Sequence, residues 1–137
     1  MTLYQTKSNK LTGTSLKEVK KKVQTLYKEI ASGSRKGKVY VRAAYFRKEK
    51  VFFDYFWQHT FQKSPKERFE RLKFFKASVE LIKNSRNQPA SKINPNNRRE
   101  ILHRFAGVTQ NKELFFVQVK EDTKTKQKYF MSCFSPE

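Results

Sequence analysis

The chain has 137 residues, with 31 Lys and Arg against 12 Asp and Glu, for a formal charge of +19. Its single Cys133 excludes an intramolecular disulfide and a cysteine-cluster zinc site, and no apolar run approaches the length that spans a bilayer. The length suits one domain that buries its core without metal or cross-link, and 13 Phe give that core large rings to bury at a hydrophobic content of only 36%.

The charge favours polyanions and speeds their capture, so nucleic acid leads the candidate partners. An anionic membrane surface or an acidic protein are the alternatives. The cations are spread along the chain, which points to a folded basic surface rather than a basic tail. The first ten residues, MTLYQTKSNK, lack the apolar stretch of a signal peptide. The expected location is cytoplasmic, with no membrane partner.

Residues 1–14 are polar and read as a flexible arm before a single α+β domain over 15–137. Ser15 with Glu18 three residues on forms a capping box. Leu16, Val19, Val23, Leu26, Tyr27 and Ile30 then recur at helical spacing, and Gly33 supplies a stop. Residues 38–45 alternate well enough for a strand, with Val39, Val41 and Ala43 inward. Over 46–62 the apolar residues Val51, Phe52, Phe53, Tyr55, Phe56 and Trp57 do not alternate. Their four-residue pairings favour a mostly buried helix, and a second strand stays open. Ser64, Pro65 and Glu67 mark a helix start, with one apolar stripe through Phe69, Leu72, Phe75, Val79 and Ile82 to about Asn84. Residues 85–97, with two Pro and four Asn, read as a long loop.

The block 98–134 holds three runs rich in β-branched and aromatic residues, divided by polar linkers, and reads as three antiparallel strands. The middle run, Leu114 to Val119, is apolar on both alternating faces except at Gln118. That makes it a central strand.

There is no Gly-rich phosphate loop, no HExxH motif, no nucleophile elbow and no acidic metal cluster. Metal and cofactor are therefore not expected. Metal-free acid–base chemistry on RNA remains, because the 2′-OH can attack its own phosphodiester and His, Lys, Arg, Ser and Tyr suffice as helpers. His59 and His103 are the two histidines. Each reads as a packing residue or as an acid–base group. Arg104 follows His103 and points to the opposite face of its strand. Ser132 reads as satisfied in the core or aimed at a ligand, on the same side as Phe130 and Phe134.

The C-terminal half resembles the barnase–EndoU–colicin D–RelE superfamily of small RNases, in particular its phage-associated branch. The resemblance is carried by the His of WQHTF ahead of the basic helix KERFERLKFFKASVELI, by SKINPNN, and by ILHRFAG, LFFVQVKE and KYFMSCF. It implies helices packed on a small four-stranded antiparallel sheet and a metal-independent endoribonuclease, often a toxin or mobile-element effector. It also implies His59, Arg104 and Ser132 as site residues, with His103 as a further candidate. RNA contacts are expected at Lys66, Arg68, Arg98, Arg99 and Lys120. The expected partners are RNA (tRNA, mRNA or rRNA) and an acidic antitoxin or immunity protein. The alternative is a non-enzymatic RNA- or DNA-binding domain whose exposed aromatics stack bases.

Overall fold

The computed structural model describes residues 2–34 and 37–136. In chain order these form β1 (Tyr4–Gln5), α1 (Leu16–Ser32), β2 (Tyr40–Ala43), β3 (Glu49–Phe52), α2 (Phe56–Phe61), α3 (Pro65–Leu72), α4 (Phe75–Asn84), β4 (Ala90–Asn94), β5 (Asn97–Val108), β6 (Leu114–Asp122) and β7 (Lys128–Phe134). The strands make one seven-stranded mixed sheet, curled into a half-barrel, in the order β1-β5-β6-β7-β3-β2, with β4 also on β5. This overturns the expected small four-stranded antiparallel sheet. β3 pairs with β7 in parallel and β1 with β5 in parallel. Both pairings join segments far apart in sequence, which local patterning does not report.

Two helices start as their sequences require. Ser15 Oγ accepts from the Glu18 N–H, and Ser64 Oγ from the Glu67 N–H. Each bond satisfies one of the orphan donors of a first helical turn. The apolar side of α1 buries Val19 and Val23. The single helix expected from Ser64 to Asn84 is divided at Lys73 and Phe74. Phe74 stacks on Phe115, while its neighbour Phe75 packs on Phe53 and Phe56. Consecutive residues of a continuous helix point about 100° apart, and the break lets both rings reach the core.

The ambiguous stretch 46–62 resolves as β3 followed by α2 rather than as one helix. Val51 is fully buried while Lys50 and Phe52 face outward. The parallel partner β7 selects the strand, and α2 begins after the turn at Asp54 and Tyr55. The loop expected over 85–97 contains β4, which forms a hairpin with β5. Four of the five β4 residues are exposed and the fifth is half-buried, so β4 has no apolar alternation to read. The segment expected as a flexible arm is tied down. Tyr4 and Gln5 pair with Gly107 and Val108, Glu80 accepts from the Lys7 and Ser8 N–H groups, and the Leu11 N–H donates to the Lys73 carbonyl.

The core lies between one face of the sheet and helices α1, α2 and α4. Phe53, Phe56, Phe75, Phe115 and Phe130 are fully buried within it. Phe130 is at its centre, 4.7 Å from the Phe56 ring and 5.4 Å from the Phe53 ring. Each such ring contributes roughly 1.5–3 kcal/mol by burial. A Cβ added at Gly107 would come within 2.6 Å of the Phe115 ring and 2.7 Å of Leu81, so glycine there permits the close packing of β5 on α4.

Candidate active site

The other face of β5, β6 and β7 is the floor of an open groove of about 1010 Å³, walled by α2, α3 and their connection. The register of the sheet builds the floor. Arg104 on β5 lies opposite Gln118 on β6, and Gln118 lies opposite Ser132 on β7. These three polar residues form one row across three strands. The next row, Ala106, Phe116 and Phe134, is apolar.

A β-bulge brings Ser132 into that row. Phe130 is paired with Val119 and Ser132 with Gln118, so Met131 is the unmatched residue. An extra residue reverses the face on which the following side chains emerge. Phe130 therefore enters the core while Ser132 and Phe134 face the groove. This corrects the expectation that Phe130, Ser132 and Phe134 share a side. Ser132 is 5% exposed and lies deep in the groove.

The wall contributes His59 from α2, Lys63 and Ser64 from the connection, and Lys66, Glu67, Glu70 and Arg71 from α3. Four permanent cations, Lys63, Lys66, Arg71 and Arg104, face two carboxylates. Glu67 lies 3.8 Å from Arg71. The Arg71 and Arg104 guanidiniums lie 5.3 and 5.1 Å from the Phe134 ring centroid. One aromatic ring thus holds two cations along the groove by cation–π contact. Arg104 Nη2 also donates to Gln118 Oε1 at 3.4 Å.

His59 is half-buried, and its pKa lies below the ordinary 6.5. Burial is the main cause, followed by the positive charges of Lys63, Arg71 and Lys120. Both effects penalise the imidazolium. His59 is consequently a neutral imidazole at pH 7, able to accept a proton.

His103 does not reach the groove. It lies on the opposite face of β5, 8% exposed, with Nδ1 2.7 Å from Ser91 Oγ and Nε2 2.8 Å from Glu121 Oε1. Phe46 packs edge-on against its ring at 5.1 Å. The buried Lys128 lies 3.9 Å from Glu121 and 3.1 Å from Glu49. With both nitrogens engaged in this internal network, His103 has no route to a phosphate in the groove.

The expected RNA contacts divide. Lys66 lines the groove. Arg68 is turned away, donating to the carbonyls of Lys63 at 2.8 Å and Phe61 at 2.6 Å. Arg98 is exposed near the turn of the β4–β5 hairpin, and Arg99 there pairs with Asp122 at 3.1 Å. Lys120 stands one row along the floor from Gln118, pairs with Glu100 at 3.2 Å and lies 4.1 Å from the Tyr55 ring centroid.

Lys63, Arg71 and Gln118 line the groove but were not among the expected site residues. A signal existed for each. Glu67 and Arg71 stand four residues apart on α3 and so share a face, and Lys63 is the cation just before the Ser64 cap. Gln118 is the lone polar residue in an apolar run. No family model, no curated protein and no solved structure matches the chain.

Proposed function

We propose that the groove is the active site of a metal-independent endoribonuclease. The observation that carries this reading is the convergence of His59, Arg104 and Ser132, drawn from three elements, in one cationic groove. In the proposed reaction neutral His59 accepts the proton of a ribose 2′-OH as its oxygen attacks the adjacent phosphorus. Arg104 and Arg71 hold the non-bridging oxygens, and their charge stabilises the extra negative charge of the transition state. Ser132 donates a hydrogen bond that orients the phosphate. The departing 5′ oxygen, on the opposite side of phosphorus, takes its proton from water, and the imidazolium formed on His59 releases its proton to solvent. The products are a 2′,3′-cyclic phosphate and a 5′-OH.

The distribution of groups supports RNA over other polyanions, since a groove that only held charge would not require a neutral base beside two arginines. The resemblance to small RNases of the phage-associated branch is kept as part of this proposal for its chemistry, not for its sheet. A toxin or mobile-element effector acting in the cytoplasm fits the reading. An acidic antitoxin or immunity protein would then cover the groove when activity is unwanted. Among the described residues no helix is long and apolar enough to cross a membrane.

The test is incubation of the purified protein with structured and unstructured RNAs in EDTA, with analysis of the product ends. Cyclic-phosphate ends, lost when the nucleotide at the cut is 2′-deoxy, support the proposal. No cleavage across a broad panel with binding retained would leave a nucleic-acid-binding domain.

A further inference from the structure

One row beyond the Arg104–Gln118–Ser132 row, the same face of the sheet carries aromatic rings. The registers place Lys120 opposite Tyr129, Tyr129 beside Phe52, and Phe52 opposite Tyr40. The row therefore runs from β6 across β7 and β3 to the edge strand β2. Tyr40 and Phe52 have ring centroids 5.8 Å apart, and Phe52 and Tyr129 6.1 Å apart. None of the three is in the core. All are half-exposed and line a shallow cleft of about 220 Å³.

Cations surround these rings. Lys50 Nζ lies 4.7 Å and the Arg42 guanidinium 5.8 Å from the Tyr40 centroid, and Lys120 Nζ lies 5.7 Å from that of Tyr129. Asp54, the carboxylate lining the cleft, sits 3.6 Å from Lys38. Cross-strand packing alone accounts for aromatic pairs on a sheet. It does not require three adjacent strands to present a ring row to solvent, bordered by cations and one row from the floor of a cationic groove.

We propose that Tyr40, Phe52 and Tyr129 form a stacking platform for unpaired bases of single-stranded RNA, one row from the groove floor. Tyr55 packs edge-on against Tyr129 at 4.9 Å and steadies the inner end of the row. The ring surface left open to solvent meets the bases, while Lys50 and Arg42, already seated on Tyr40, and Lys120 meet the backbone phosphates. Adjacent rows on one strand face are about 7 Å apart, close to the reach of one extended nucleotide. A strand with a phosphate beside Ser132, one row from Tyr129 on β7, therefore lays its next bases on the rings. The choice of ribose strand rests on the proposed function, but binding to the platform does not depend on cleavage.

The experiment is fluorescence anisotropy with a labelled 12-nucleotide strand carrying 2′-O-methyl riboses, which cannot be cut by its own hydroxyl. A duplex of the same sequence is measured in parallel. Phe52→Leu and Tyr129→Leu, which keep apolar bulk, should each weaken the single strand by roughly 5- to 100-fold, the loss of one base–ring stack. Duplex affinity should hold, whereas Lys50→Gln should weaken both. Ring variants that bind the single strand as tightly as wild type, or lose both forms equally, overturn the platform. Photocrosslinking of wild type to a 5-iodouridine strand decides the matter if a variant fails to fold. Adducts at Tyr40, Phe52 or Tyr129 support the proposal, and adducts confined elsewhere overturn it. A protein that cuts RNA but binds normally without the rings loses the platform alone. One that binds through the rings but never cuts loses only the nuclease.

Discussion

Phe130 and Ser132 stand two residues apart on β7 yet face opposite sides of the sheet. Phe130 is fully buried among Phe53, Phe56 and Phe75, and Ser132 lies in the groove beside Gln118. Met131, half-buried, is the residue that separates them. Deleting Met131 forces either Phe130 out of the core or Ser132 out of the groove. Expelling a buried Phe costs on the order of 3–5 kcal/mol. The deletion should therefore lower the melting temperature far more than Met131→Ala, as read by thermal denaturation. Equal melting temperatures would show that the bulge does not set the two faces.

His59 and His103 should separate cleanly. In single-turnover assays His59→Ala should lower cleavage by about 10²- to 10⁴-fold, the scale of a general acid or base, with RNA affinity nearly unchanged. His103→Ala should cost about 1–3 kcal/mol of stability, because Glu121 and Ser91 lose a buried partner. Its cleavage rate, measured where the protein is fully folded, should stay near wild type. The reverse pattern would move the chemistry to the opposite face of β5.

The pH dependence follows from the sign of the His59 shift. Its neutral form is favoured in the folded protein, so the unfolded chain binds more protons just below pH 6.5. The stability tied to His59 is intact above that pH and is lost as the pH falls. Activity that needs the neutral imidazole should have its acid limb below pH 6.5. Lys63→Gln removes one of the charges behind the shift and should move that limb to higher pH. Titration of the His59 ring protons by NMR should move the same way. An unmoved limb would take Lys63 out of the shift and leave it to burial, Arg71 and Lys120.

The groove arginines should behave differently from the serine. Arg104→Ala and Arg71→Ala should lower both rate and RNA affinity, and both should flatten the dependence of affinity on salt, since each removes a phosphate contact. Ser132→Ala should reduce the rate less, because a neutral hydrogen bond is weaker than a charge-assisted one. Unchanged affinity in both arginine variants would take the phosphate out of this groove.

Cys133 should be inert in the folded state. Burial pushes its thiol up to about 11, and Sγ lies 3.3 Å from the Arg71 carbonyl, to which it donates. Thiolate is the reactive form. Alkylation near neutral pH should therefore follow global unfolding, and rapid labelling without denaturant would reveal local opening of β7.

Some of this molecule is local and could be read directly. Ser15 and Ser64 cap helices because the bond to an N–H three residues on lies within one turn. Val19 and Val23 are buried because a helix repeats its face. β6 is a central strand because its apolar residues occupy both faces. His103 and Arg104 part company because alternate residues of any strand do. The tertiary structure decided what depends on partners distant in sequence. β3 is a strand because β7 lies beside it, β4 because β5 folds back on it, and residues 4–5 because Gly107 and Val108 accept them. The site follows the same division. His59, Arg104 and Ser132 could be named as residue types suited to the chemistry. Their meeting in one groove required the bulge at Met131 and the docking of α2 and α3 against β7. Neither leaves a period in the sequence, because an unmatched residue has meaning only against the strand it fails to match.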